Sequence, residues 1–360
     1  MSNRVFVIAE AGVNHNGSLD LAVKLVEAAA DAGADAVKFQ TFKAENLVTR
    51  LAQKADYQAS NTGTSGSQFE MLRELELKQE DYVELKRACD ARGIEFMSTP
   101  FDEDSLQMLV DIGVRRLKLS SGEITNAPLL HRASRTGLPI ILSTGMASLG
   151  EVRTALSVLV HGVSEDSSEP CMKAFERAFC LHPDCLVGKV TLLHCTTDYP
   201  CSLGDANLRA MDTLSDAFNL PVGLSDHTEG AVAALAAVAR GALVLEKHLT
   251  LDRSLTGPDH LASMNPDEFS RLVQGVRNVE LVLGSATKTP VSAELKNIDV
   301  VRKSLVASTP IRQGDIFTEG NVTAKRPGGG VSPLFFWDVL GKVAPRDYKR
   351  DEILDFPCNQ

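Results

Sequence analysis

The feature that most narrows the choice of fold is an eightfold pattern: a short apolar run stops at a polar cluster, and a helix-like segment follows. The runs are VFVIAE (5–10), ADAVKFQ (34–40), IEFMSTP (94–100), RRLKLSSGE (115–123), PIILSTGM (139–146), KVTLLHCTTDYP (189–200), PVGLSDHT (221–228) and ALVLEKHLTL (242–251). Between them, LDLAVKLVEAAADAG carries apolar residues at helical spacing with a Gly near its end. QEDYVELKRACDARG, EDSLQMLVDIG, LLHRASRTG, LGEVRTALSVLV and EGAVAALAAVARG read the same way. Strand alternating with helix implies a parallel sheet covered by helices, an α/β class. Eight such units imply a closed (β/α)8 TIM barrel. A doubly wound open sheet is the structural alternative, and no GxGxxG follows the first strand to support a dinucleotide site.

After Gly284 the texture changes. Pro290 to Gln360 holds no further strand-helix unit, only short apolar segments such as SLVAST among Gly and Pro punctuation (RQGDIFTEG, KRPGGGVSP). The expected organisation is a barrel over 1–284, a linker over 285–300 and a small, mostly irregular β domain over 301–360. Residues 161–188 read as an insertion between the fifth helix and the sixth strand. Its Cys171, Cys180, His182 and Cys185 match no standard zinc spacing, so a surface excursion is expected there.

The bulk numbers exclude some functions. A formal net charge of -10 argues against a nucleic-acid partner, which needs a basic footprint, but a few local cations can still hold a small anion. No apolar run approaches the roughly 20 residues of a membrane span. The strand-like VFVIAE begins at Val5, so no leader is expected. Seven Cys, with Cys89 and Cys195 inside apolar patterns, fit reduced thiols in a cytoplasm.

In a barrel the C-terminal strand ends carry the active site. Polar residues stand at those ends in every unit, among them Glu10, Lys38, Gln40, Ser98, Lys118, Ser121, Glu123, Ser143, Thr144, His194, Thr197, Tyr199, Ser225, Asp226, His227, Glu246, Lys247 and His248. Lys38 and Lys118 are flanked by apolar residues. A lysine inside a barrel is costly to bury without an anion, so each either pairs with a nearby glutamate or binds a substrate phosphate or carboxylate. Ser and Thr hydroxyls in SSGE, STGM and GLSDHT could complete a phosphate cradle. His227 and His248 end adjacent strands, where two imidazoles reach one divalent ion and leave positions open for substrate oxygens. Glu10, Glu123, Glu246 and Asp259 are carboxylates for acid–base work or hydroxyl recognition. Lys247, on the opposite face of its strand, is expected to be structural.

Together IAEAGVNHNGS, AVKFQTFKAENL, STPFDEDS, KLSSGE, STGM, SDHT, EKHLTLD, GPDHLASMNPDEF and KRPGGGVSP resemble the sialic acid synthase family, the phosphoenolpyruvate-dependent N-acetylneuraminate synthases. The likeness runs from Val5 to about Leu354, with 161–188 as the main departure. It is nearest to the bacterial N-acetylneuraminate synthases, with the N,N′-diacetyllegionaminate synthases close behind. The resemblance implies a TIM barrel followed by an antifreeze-like (SAF) domain, and a homodimer that swaps these domains. It implies condensation of phosphoenolpyruvate with the open-chain aldehyde of N-acetylmannosamine, giving N-acetylneuraminate and phosphate, with a divalent ion (Mn, Mg or Co). The same chemistry on 2,4-diacetamido-2,4,6-trideoxymannose is the alternative.

Carried over by resemblance, His227 and His248 are the metal ligands. Lys38, Lys118, Ser121, Ser143 and Ser225 contact phosphoenolpyruvate, and Glu10 is a catalytic carboxylate. Gln40, Glu123, Tyr199 and Asp259 serve the sugar side, Glu246 supports the ligand shell or a substrate hydroxyl, and Arg326 enters the partner's site. Thr197 stands where some members carry Asn. Other readings of the same residues are an aldolase-type lyase with a Schiff-base lysine at Lys118, and a non-catalytic carbohydrate binder.

Overall fold

The computed structural model describes residues 4–55, 58–59, 61, 66–164 and 168–355. Parts of the 161–188 insertion (165–167) and of the C-terminal domain (356–360) lie outside the described residues. The chain divides into two compact units, Met1–Gly284 and Ser285–Gln360.

The first unit is the expected barrel. Its strands are β1 (Phe6–Gly12), β2 (Ala36–Thr41), β3 (Glu95–Pro100), β4 (Leu117–Leu119), β5 (Ile140–Ser143), β6 (Val190–His194), β7 (Val222–Asp226) and β8 (Val244–His248). They form one sheet in the order β3-β2-β1-β8-β7-β6-β5-β4, every ladder parallel. The first and last strands pair, with Glu10 opposite His248. β3 and β4 pack side by side where the ring closes. The helices of this unit that are complete among the described residues are α1 (Leu19–Asp31), α2 (Ala44–Leu47), α3 (Gln68–Leu75), α4 (Gln79–Arg92), α5 (Glu103–Asp111), α6 (Ala127–Ser134), α7 (Leu149–Val163), α8 (Met172–Leu181), α9 (Ala210–Phe218), α10 (Val232–Ala239) and α11 (Pro266–Leu283). Local chemistry sets their starts. Ser18, Ser67, Ser148 and Asn265 cap α1, α3, α7 and α11 by accepting a backbone N–H of the first turn. The last three add a returning Glu from the third helical position.

The strand period of two builds the interior in layers. One layer is apolar: Ile8, Ala36, Met97, Ile141, Leu193 and Val244 form a plug inside the ring. Two residues further along each strand stand Glu10, Lys38, Thr99, Ser143, Cys195 and Glu246. The plug seals the barrel, and the next layer becomes the floor of a site. Gly223 lies in β7 because a Cβ there would strike the Val244 carbonyl of β8, so the two histidine-bearing strands come together only over a glycine.

Three details differ from the sequence reading. RRLKLSSGE gives a strand of only three residues, because the Ser120 hydroxyl accepts the Gly122 N–H and turns Ser121–Glu123 into a 3-10 coil. Within the insertion, Met172–Leu181 is helical and packs on α7. The segment expected as linker contains a helix, α12 (Ser292–Val301). The second unit holds an antiparallel pair, β9 (Ser304–Ala307) with β10 (Val322–Lys325), a short helix α13 (Phe336–Val339), and its own core around Phe317, Tyr348 and Leu305. No described helix is long and apolar enough to cross a membrane.

Candidate active site

A cavity of about 370 Å³ opens above the apolar plug, lined by Glu10, Lys38, Gln40, Lys118, Ser121, Glu123, Ser143, Thr197, Tyr199, Ser225, His227, Glu246, His248 and Asp259, whereas Ser98, Thr144, His194, Asp226 and Lys247 from the same strand ends do not line it. Arg326 belongs to the second unit.

The floor is a buried charge cluster. The Lys38 ammonium lies 2.5 Å from Glu10 Oε2 and 3.6 Å from Glu246 Oε2, and it donates to Thr99 Oγ1 at 3.1 Å. Lys118 donates to Ser143 Oγ at 2.7 Å and lies 3.5 Å from Glu246 Oε1. Glu246 therefore stands between the two ammonium groups, and it also accepts from Ser225 Oγ at 2.9 Å. Burial alone would raise its pKa, but Lys118 and Lys38 outweigh burial and hold it ionised below the usual carboxylate range. Glu10 goes the other way. Burial and the nearby Glu246 charge push it up, against Lys38 and the Gln40 amide, which donates to it at 3.2 Å. Lys118 is pulled down by burial, which the Glu246 charge only partly offsets. Burial also lowers the Lys38 charge's standing, but Glu10 and Glu246 more than restore it and raise its pKa.

Pairing with a glutamate is thus the contact made by Lys38, and its partners are Glu10 and Glu246. Glu123 pairs with neither lysine. Its carboxylate accepts from Asn126 Nδ2 at 2.6 Å, and burial raises its pKa.

The histidines form a second cluster beside the floor. Their ring centroids lie 5.6 Å apart at 61°, and the Tyr199 ring covers both, at 4.2 Å from His227 and 5.7 Å from His248. His227 Nδ1 sits 2.7 Å from the Thr196 carbonyl. A carbonyl only accepts, so Nδ1 carries the proton and Nε2 presents a lone pair. Burial lowers both pKa values, most strongly at His248, so both rings are neutral at pH 7, the form a metal ligand needs. His248 Nδ1 is buried without a hydrogen-bond partner, 4.0 Å from Asp259 Oδ2. Burial, with Glu10 next, raises Asp259 to about 7. Two neutral imidazoles with an orphaned nitrogen suit a divalent ion whose other positions are filled by substrate or water oxygens. Among the described residues, no group of three or more His, Cys, Asp or Glu could hold an ion alone, in the insertion or elsewhere.

Strand alternation sorts the polar residues at the rim. Lys247 faces outward and pairs with Asp226 at 2.7 Å, both fully buried, which is the structural role expected of it. His194 also faces outward and bonds the Ala206 carbonyl, while Cys195, one residue on, lines the cavity. Likewise Ser98 bonds Thr41, and Thr99 takes the place on the floor. Thr144 bonds the Leu193 carbonyl. Cys195 Sγ contacts Ser121 Oγ at 3.1 Å, and that hydroxyl accepts the Gly145 N–H at 2.9 Å. A Cβ on Gly145 would fall 2.5 Å from Thr197 Oγ1 and 2.9 Å from both Ser121 Oγ and Cys195 Sγ, so only Gly lets this cradle close.

Sequence reasoning missed Thr99 and Cys195, which strict alternation from Met97 and Leu193 would have found. It also missed an apolar side wall, Leu47, Val48, Met71, Leu72 and Leu75, which α2 and α3 bring to the cavity.

Comparison with known proteins gives a consistent picture. Residues 25–288 match the NeuB family and residues 302–358 the SAF domain. The chain is 46% identical over 351 residues to the N,N′-diacetyllegionaminic acid synthase of Campylobacter jejuni, covering 98% of this chain and 99% of that protein. It is 47% identical over 336 residues to the protein of that name from Legionella pneumophila, covering 93% and 89%. Among solved structures, the N-acetylneuraminic acid (sialic acid) synthetase of Leptospira borgpetersenii, in complex with citrate, superposes with a TM-score of 0.67 at 35% identity, covering 82% of this chain and 91% of that one.

Proposed function

This chain belongs to the NeuB family, and from that premise we propose that it condenses phosphoenolpyruvate with 2,4-diacetamido-2,4,6-trideoxymannose, giving N,N′-diacetyllegionaminate and phosphate. The sequence reading put N-acetylmannosamine first. The near full-length relatives at 46% and 47% identity carry the legionaminic name, and they reverse that order. N-acetylmannosamine remains the second reading, favoured by the solved relative at 35% identity.

The observation that carries the synthase reading is the pair of buried ammonium groups, Lys38 and Lys118, meeting at Glu246 beside two neutral imidazoles. Lys38 and Lys118 would hold the phosphate and carboxylate of phosphoenolpyruvate, with the hydroxyls of Ser121, Ser143 and Ser225 completing the cradle. Glu246 sets the orientation of both ammonium groups. A divalent ion (Mn, Mg or Co) held by His227 and His248 would supply Lewis-acid polarisation of a substrate oxygen. Tyr199 would cover the two imidazoles from one side, and the apolar plug closes the floor beneath the reacting carbons.

Carbon 3 of phosphoenolpyruvate forms the new bond to the aldehyde carbon with the electrons of its carbon 2–carbon 3 double bond, the aldehyde oxygen takes up a proton to become a hydroxyl, and positive charge develops at carbon 2. Glu10 lies on the floor, where it can stabilise that charge and take the proton of the water adding at carbon 2. The hemiketal phosphate then loses phosphate by C–O cleavage. Arg326, from the swapped second unit of a homodimer partner, would complete the sugar side.

Phosphate release from phosphoenolpyruvate across a panel of amino sugars, with and without Mn, tests the reading. Release that depends on the diacetamido sugar and on the ion supports it. Borohydride trapping of pyruvate on Lys118 would instead support a Schiff-base lyase.

A further inference from the structure

The floor of the cavity is charged, but one of its sides is not. Leu47 and Val48 at the end of α2, with Met71, Leu72 and Leu75 on one face of α3, line the same space as Lys38 and His248. Met71, Leu72 and Leu75 pack with Val13, Phe42 and Ala44 in a hydrophobic cluster separate from the main barrel core. They owe their place to spacing: positions 71, 72 and 75 fall on one stripe of a helix, fixed at its start by the Ser67–Glu70 capping box. The helix thus turns a methyl-rich face toward the cavity, while Gln58 and Gln68, which also line it, are joined by a hydrogen bond from the Gln68 amide to the Gln58 carbonyl.

Resting on the synthase reading above, we propose that this wall is the specificity element for the sugar, and that it reads methyl groups where a common amino sugar carries hydroxyls. Such a surface gives a hydroxyl no partner, so a hydroxymethyl group laid against it loses its water bonds without replacement. A C6 methyl or an acetamido methyl laid there is removed from water at a gain. The ligand class that fits both surfaces has an aldehyde end for the charged floor and a deoxygenated, acetamido-bearing end for the wall. A 2,4-diacetamido-2,4,6-trideoxyhexose has those two ends, and N-acetylmannosamine lacks the second. A pocket contact with one methyl group discriminates by roughly 10- to 200-fold, so a wall of this kind suffices to choose between the two sugars.

The test is kcat/KM for both sugars at saturating phosphoenolpyruvate and Mn, in wild type, Val48→Thr and Met71→Gln. Both changes keep side-chain size while adding polar atoms to the wall. The expected result is a wild-type preference for the diacetamido-trideoxy sugar that falls on the order of tenfold in each variant. A ratio of two substrates on one preparation is insensitive to the fraction of enzyme that folds. Val48 is half-exposed at the end of α2, so its variant reports even where Met71→Gln destabilises α3. An unchanged ratio in Val48→Thr and Met71→Gln overturns the inference. Wild-type turnover of N-acetylmannosamine alone overturns it and the choice of sugar, leaving the synthase reading intact. Turnover of neither sugar overturns the synthase reading itself.

Discussion

Replacing Glu246 by Gln probes the charge balance on which the floor depends. Glu246 is the shared counter-charge of Lys118 at 3.5 Å and Lys38 at 3.6 Å. A Gln keeps the shape and the acceptor for Ser225, and removes only the charge. The fold draws this carboxyl from 4.5 to about 2. At 1.36 kcal/mol per unit, that is about 3 kcal/mol of stabilisation, within the roughly 3–5 kcal/mol that breaking a buried ion pair costs. Urea unfolding at pH 7 should therefore show the variant less stable by about 3 kcal/mol. The sign with pH follows from the direction of the shift. A carboxyl depressed in the fold stabilises fully above about 4.5 and loses that contribution as pH falls toward 2. The gap between wild type and variant should accordingly narrow below pH 4.5. Phosphoenolpyruvate should stabilise the variant more than the wild type, because its anionic groups replace the missing charge. A loss below about 1 kcal/mol at pH 7, or a gap that widens on acidification, would refute the placement of Glu246 as the counter-ion.

Other perturbations separate the parts of the site. His248→Ala should abolish ion-dependent phosphate release and the thermal shift on adding Mn, and full activity would remove it from the ligand set. Gly145→Ala pushes a Cβ against Thr197, Ser121 and Cys195, and should raise the KM for phosphoenolpyruvate by about a hundredfold with the fold retained. His15 is buried, accepts the Gly17 N–H and is held at about 4 instead of 6.5. The unfolded chain binds the proton first, so about 3 kcal/mol of stability should disappear as pH falls from 6.5 to 4, and His15→Gln should flatten that slope in pH-resolved urea titrations.

Much of this was legible in the sequence because the barrel imposes period two on its strands. VLEKH reads directly: Glu246 and His248 inward, Lys247 outward to Asp226. Where the chain turns instead of extending, the reading slips. LKLSSGE looks like one run, but a serine cap coils its second half. At the ends of β3 and β6 the polar residues Ser98 and His194 were named, while the alternation that begins deeper in each strand places Thr99 and Cys195 in the cavity. The apolar wall was out of reach for another reason. Met71 and Leu75 sit on a helix outside the eight units, and amphipathic spacing reports that a face is buried without saying that a cavity lies beside it. The helix at Ser292–Val301 was similarly hidden in a stretch read as a connection.

The most direct test of the central claim is a crystal of this enzyme grown with Mn and phosphoenolpyruvate, read by anomalous scattering. The account expects one Mn peak between the His227 and His248 rings and the phosphate against the Lys38 and Lys118 ammonium groups. Phosphoenolpyruvate bound elsewhere, or no metal peak between the two rings, would contradict it.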